Sequence, residues 1–171
     1  MPPYLGDPMI TVASYNIRKG IGTDRRRNPH RILDVIEEIG ADVIALQEAD
    51  RRFGLRATAL PLDMMAAREA YHPVPFETRP HSIGWHGNAI LVKNGHEVID
   101  HEVIRIPSLE PRGAVRADIR IAGNPVRFVA MHLDLSGLWR KRQARHILAH
   151  LEKLDDGVPT VLMGDLNEWT Q

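Results

Sequence analysis

Short apolar runs rich in β-formers outnumber the helical stretches of this 171-residue chain, and four of them run out into a polar group. Val12-Ala13-Ser14-Tyr15 leads to Asn16, and Val43-Ile44-Ala45-Leu46 leads to Gln47-Glu48. Arg127-Phe128-Val129-Ala130-Met131 leads to His132, and Thr160-Val161-Leu162-Met163 leads to Gly164-Asp165-Leu166-Asn167. A chain patterned this way must build sheets, and sheet proteins assemble their sites where strands end. Strands are predicted at 9–15, 42–46, 88–93, 97–106, 113–121, 126–132 and 160–163, with a short one at 72–77. Turns at Asn94-Gly95 and Gly123-Asn124 make some neighbours antiparallel hairpins.

Helices are expected between these runs. Asn28 caps the first, Pro29 enters its first turn, and Gly40 ends it. Ile32, Leu33, Ile36 and Ile39 form its apolar stripe. A second helix, of Ala and Met character, is read at 60–70. A third spans 136–154, with Leu138, Ala144, Ile147, Leu148, Leu151 and Leu154 inward, and Gly157 and Pro159 end it. The β-loop-α-β opening belongs to α/β folds. With no GxGxxG and no P-loop, a simple dinucleotide-binding fold is not indicated. Residues 9–171 read as one domain; residues 1–8, with three prolines and no basic start, read as a flexible leader.

The formal net charge is zero, so no global field draws the protein to nucleic acid or a membrane, and any attraction to an anion must be local. The absence of cysteine excludes disulfides and thiolate metal sites and favours a reducing compartment, so a cytoplasmic location is expected. No apolar run has the length of a transmembrane helix.

The residues at the strand ends form a chemical set. Glu48 suits a hard cation such as Mg²⁺, which takes one or two carboxylates together with water and phosphate; it also reads as a solvated strand-end residue. Asp165 and Asn167 suit a base and its orienter, and equally a turn. His132 suits an acid or a phosphate contact, or a hydrogen-bonded structural histidine. Arg18, Lys19 and Arg25 to Arg27, then Arg51 and Arg52, then Arg140 to Arg142 with Arg145, place cations just past the same strand ends, where arginine forks fit phosphate oxygens. Arg112 is a further candidate phosphate clamp, and Asn88 a candidate substrate contact or turn residue. Asp134 either shares the site or caps the third helix. His146 and His150 stand at helical spacing without the glutamate of a zinc motif and read as a surface pair.

In order along the chain, Tyr15-Asn16-Ile17-Arg18, Leu46-Gln47-Glu48, Gly87-Asn88-Ala89-Ile90-Leu91, His132-Leu133 and Gly164-Asp165-Leu166-Asn167 resemble the endonuclease/exonuclease/phosphatase superfamily, with its deoxyribonuclease-like fold. The resemblance implies a four-layer α/β/β/α sandwich of mixed, largely antiparallel sheets. It implies phosphoester hydrolysis by an activated water, with Mg²⁺ or Mn²⁺. By position, Glu48 would be the metal ligand with Asn16 nearby. Asp165 would position or deprotonate the water, Asn167 would orient phosphate or water, and His132 would contact the phosphate or leaving group. Arg18, Asn88 and Arg112 would hold the substrate, which could be nucleic acid, a phospholipid head group or a small phosphoester.

The resemblance also implies further strands and a Ser-Asp-His-like motif beyond Gly-Asp-x-Asn. Since the chain stops at Gln171, it is expected to carry half to two-thirds of the site and an incomplete second sheet, open to oligomer formation through its unpaired edge. The alternative reading is a non-catalytic binding or assembly module on the same fold.

Overall fold

The computed structural model describes residues 9–51, 57–76 and 80–168; the leader at 1–8, Arg52 and the end of the run at 72–77 lie outside them. Strands β1 (Val12–Asn16), β2 (Val43–Gln47), β3 (Tyr71–Pro73) and β4 (Ala89–Lys93) form one sheet in the order β1-β2-β4-β3. Strands β5 (Glu97–Ile104), β6 (Gly113–Ile121), β7 (Asn124–His132) and β8 (Thr160–Asp165) form the other, in sequence order. Helices α1 (Pro29–Ile39) and α2 (Leu62–Arg68) belong to the first half, and α3 (Gly137–Glu152) links β7 to β8.

Period-two alternation explains the layering. Val43 and Ala45 of β2, with Ile90 and Val92 of β4, meet Val115, Ala117, Ile119, Phe128 and Ala130 of the second sheet in the central core. The alternate residues Ile44, Leu46 and Leu91 pack under Ile32, Leu33 and Ile36 of α1 and Met65 of α2. On the far side, Ala114, Val129 and Met131 meet Ile147 of α3. The result is the expected four-layer sandwich, helix on sheet on sheet on helix.

Helix α1 has the predicted boundaries: the Asn28 side chain accepts from the Arg31 N–H, and Gly40 closes the helix at φ 62°. The apolar stripe is shorter than predicted. Ile39, at the last turn beside the Gly40 cap, is exposed. Helix α3 differs more. Leu138 and Leu148 are 61% and 48% exposed, not inward. The inward face is centred on Gln143 and Ile147. Gln143 Oε1 accepts from the Asp134 N–H at 2.9 Å, and its Nε2 donates to the Pro107 carbonyl at 3.0 Å. A polar residue occupies the middle of the face, so counting leucines misplaces it. Asp134 is buried, its carboxylate accepts from the Leu135 N–H at 2.9 Å, and it does not line the cleft described below.

The outer face of the second sheet carries an ion network. Arg127 donates through Nε and Nη2 to Asp118 at 2.8 and 2.7 Å, and through Nη1 and Nη2 to Asp156 at 3.0 and 2.6 Å. Arg116 reaches Asp100 and Glu102, each at 2.6 Å, and Asp118 at 2.8 Å. His150 also bonds to Glu102 at 2.8 Å, so it is spent structurally and does not pair with His146. Among the described residues no helix is long and apolar enough to cross a membrane.

Candidate active site

The fold contains two parallel strand pairs, each joined by a covering helix: β1-α1-β2 and β7-α3-β8. Register aligns Asn16 with Gln47 and His132 with Asp165. Strands β1 and β8 are edges of different sheets, yet they lie beside each other across the sandwich. The carboxyl ends of all four strands therefore converge on one rim, and Asn16, Glu48, His132 and Asp165 meet there.

Asn16 stands between the two acids. Its Nδ2 donates to Asp165 Oδ2 at 3.0 Å and, more weakly, to Glu48 Oε1 at 3.4 Å. Its Oδ1 accepts from the Arg18 N–H at 3.0 Å, so the amide offers nitrogen, not oxygen, to the carboxylates. The other Glu48 oxygen, Oε2, accepts a short ion-pair contact from Lys19 Nζ. Asp165 Oδ1 accepts from the Asn167 N–H at 3.0 Å. The Asn167 side chain is buried and donates to the Leu133 carbonyl at 2.7 Å. It fixes the loop that carries Asp165.

His132 is buried, with Nε2 3.7 Å from Asp165 Oδ2. Arg112 Nη1 lies 2.7 Å from the same Nε2, and its Nη2 donates to Glu110 at 3.0 Å. The same Nη1 lies 3.1 Å from Nδ1, and since a guanidinium can only donate, it faces the lone pair of an imidazole nitrogen. Burial, then the Arg112 charge, push the His132 pKa down and keep the ring neutral, against the pull of Asp165 and Glu48. Burial raises the Glu48 pKa, but Lys19 and Asn16 outweigh it and hold the carboxyl below its usual range. Asp165 follows the same logic: burial opposes ionisation, and the donors Asn16 and Asn167 prevail. The rim thus holds two carboxylates, a neutral imidazole and two cations.

Glu48, Lys19, His132 and Arg112 line a cleft of about 200 Å³ together with Asp50, Arg51, Trp85 and His86 among others; Asn16 and Asp165 adjoin it through their contacts with Glu48 and His132. The local backbone is strained. Arg18, Lys19, Glu48, His86 and Asn167 adopt φ of 48°, 59°, 52°, 47° and 49°, a left-handed conformation costly for non-glycine residues and concentrated at functional sites. Gly164 is needed for another reason: a Cβ there would lie 1.9 Å from the Met131 carbonyl oxygen, because β8 runs tight against β7 just before Asp165.

Other expected contributors sit elsewhere. Asn88 is fully buried behind the cleft, where its Nδ2 donates to the Gly113 carbonyl at 3.0 Å and the Trp85 carbonyl at 3.3 Å. It positions the Trp85 loop against β6. Arg18 enters the site through its backbone N–H, and its side chain does not line the cleft. Of the basic clusters, Lys19 and Arg51 reach the cleft. Arg140 instead pairs with Glu168 at 2.7 Å, and Arg142 lies over the Trp139 ring. Trp85 and His86 were readable as cleft residues only through their place beside Gly87-Asn88.

Among the described residues no group of three or more His, Asp or Glu side chains is arranged to hold a metal. The rim nevertheless fits a hard cation of the Mg²⁺ kind, which needs one or two carboxylates and completes its shell with water and phosphate. Glu48 already carries a positive charge, the Lys19 ammonium, on Oε2.

Comparison with known proteins agrees with this fold. The Escherichia coli (strain K12) uncharacterized protein YbhP is 24% identical over 190 aligned positions, covering 100% of this chain and 72% of that protein. The human Nocturnin catalytic domain, solved with bound sulfate anion, superposes with a TM-score of 0.70 at 20% identity, over 94% of this chain and 64% of that one. D. rerio TDP2, solved with a single-strand DNA product, gives 0.69 at 15% identity, over 96% and 63%. The chain thus spans just under two thirds of those two solved chains. The sequence profile of the Endonuclease/Exonuclease/phosphatase family matches residues 13–170, and the chain belongs to that family.

Proposed function

We propose that the chain is a phosphoesterase dependent on Mg²⁺ or Mn²⁺, hydrolysing a phosphoester with water. The observation that carries this reading is the Asn16 amide bridging Asp165 to Glu48, which lines a cleft together with Arg112 and a neutral His132. The sulfate bound to Nocturnin and the DNA strand bound to TDP2 support it.

Glu48 would hold the cation, with Asn16 keeping the carboxylate aimed. The ion would polarise the phosphoryl oxygens and offset charge developing on them. Arg112, braced by Glu110, presents a fork to the phosphate. Asp165 stays ionised, with both oxygens already aligned by Asn16 and Asn167, and can orient water and accept its proton as water attacks phosphorus. His132 carries one proton and one lone pair, which suits contact with a phosphoryl or leaving oxygen. Asn167 serves by fixing Asp165.

The experiment is hydrolysis of bis(p-nitrophenyl) phosphate, a single-stranded oligonucleotide and a phospholipid head-group ester, each with Mg²⁺, Mn²⁺ or chelator. Metal-dependent turnover of at least one, reduced at least a hundredfold by Asp165→Asn and by Glu48→Gln, supports the reading. Turnover of none, or turnover indifferent to both substitutions, overturns it.

A further inference from the structure

Lys19 is not among the residues the family motifs mark, yet it makes the most direct contact with Glu48. We propose that Lys19 is a built-in counter-cation for Glu48, which a divalent ion must displace in order to bind; this rests on the metal-dependent reading above. Several observations converge. Glu48 uses Oε1 toward Asn16, so Oε2 is the oxygen left for a cation, and Lys19 Nζ sits on Oε2. An ammonium and a divalent ion cannot share one carboxylate oxygen at contact distance without strong repulsion.

The backbone of Lys19 is built to deliver its side chain there. Its N–H donates to the Glu48 carbonyl at 2.9 Å, and its own carbonyl accepts from Arg27 Nε at 3.1 Å. Both Lys19 and Glu48 hold left-handed φ, at 59° and 52°, a conformation neither would choose unforced. The pair is also exchangeable. The two side chains retain 29% and 28% of their exposure, and both line the cleft. Lysine has a flexible four-carbon stem and a readily hydrated head, so it can leave without unpacking a core. A protein built this way keeps Glu48 neutralised without metal and binds metal more weakly than its bare carboxylates would.

Calorimetric titration with Mn²⁺ and with Mg²⁺ tests this on the full chain. Lys19→Met should bind either ion on the order of tenfold more tightly than the wild type, as expected for losing one charged hydrogen bond. Lys19→Arg, which keeps the charge, should not. Unchanged or weaker binding in Lys19→Met overturns the proposal while leaving the metal reading intact. No binding by wild type or Lys19→Met overturns both. A second measurement needs no core variant: in the wild type, Mg²⁺ should shift the Lys19 Cε resonance, assigned with Lys19→Arg, along the same saturation curve as binding. A Lys19 resonance that ignores saturating Mg²⁺ overturns displacement.

Discussion

Replacing Asn16 by alanine removes the one side chain among the described residues that hydrogen-bonds both acids, and its effect can be worked out from the geometry. A hydrogen bond to an ionised group contributes about 1.5–3 kcal/mol. The 3.0 Å bond to Asp165 earns the lower end of that range, because the Asp165 side chain is 27% exposed. The 3.4 Å bond to Glu48 adds little. Asn16→Ala should therefore destabilise the fold by about 1.5–2 kcal/mol at neutral pH, lowering Tm by about 3–8 °C for a chain of this size. Urea unfolding of Asn16→Ala, Asp165→Asn and the double variant isolates the pair, with a coupling of about 1–1.5 kcal/mol expected. The pH dependence has a definite sign. Both carboxyls have lowered pKa values in the fold, so their stabilisation is present above the unfolded values near ~4 and is lost as pH falls through the folded ones. The Asn16→Ala penalty should fade on that acid limb. A coupling below about 0.3 kcal/mol, within ordinary additivity error, or a penalty that stays flat into acid, would refute the bridging role.

Three further outcomes are expected. Gly164→Ala forces a Cβ to within 1.9 Å of the Met131 carbonyl oxygen at a φ of 143°, so it should cost about 2 kcal/mol or more, read as a lower thermal midpoint. Arg127→Met strands Asp118 on the outer face of the second sheet with Arg116 as its remaining partner; calorimetry should find a loss of about 3 kcal/mol, the low end for a broken buried pair. His132 resists its proton in the fold, so wild-type stability should decline as pH drops from about 6.5 toward the lowered folded pKa; His132→Gln should flatten that segment, and equal slopes would contradict the assignment.

Much of the architecture was legible because simple periodicities governed it. Val43 and Ala45 face one way and Ile44 and Leu46 the other, as alternation requires, and Asn28, Pro29 and Gly40 frame α1 as capping chemistry requires. The site's acids and His132 were legible as polar ends of apolar runs. What escaped was set by partners distant in sequence. Gln143 takes the middle of the inward face of α3 because Asp134 and Pro107 need it. Arg116 and Arg127 lie in strands as buried charges, tolerable because Asp118 sits between them and Asp100, Glu102 and Asp156 complete their pairing. Asn88 looked like a substrate contact and Asn167 like an orienter of base, phosphate or water, yet their side-chain amides go to the Gly113 and Leu133 carbonyls. Lys19 reads as one cation of a cluster open to phosphate or solvent until the strained turn aims it at Glu48.

The rim where β1 meets β8 has a consequence for folding. Asn16 and Glu48 come from one sheet and His132 and Asp165 from the other, and the Asn16–Asp165 bond crosses the seam. Neither sheet alone contains the constellation. A slide of one sheet over the other by about 3.3 Å, one residue's rise along a strand, would separate the amide from Asp165 while leaving each sheet's own ladder intact. The cleft is thus a gauge of sheet docking: it comes into being when the sandwich closes in register, and any binding or turnover measured there reports that closure.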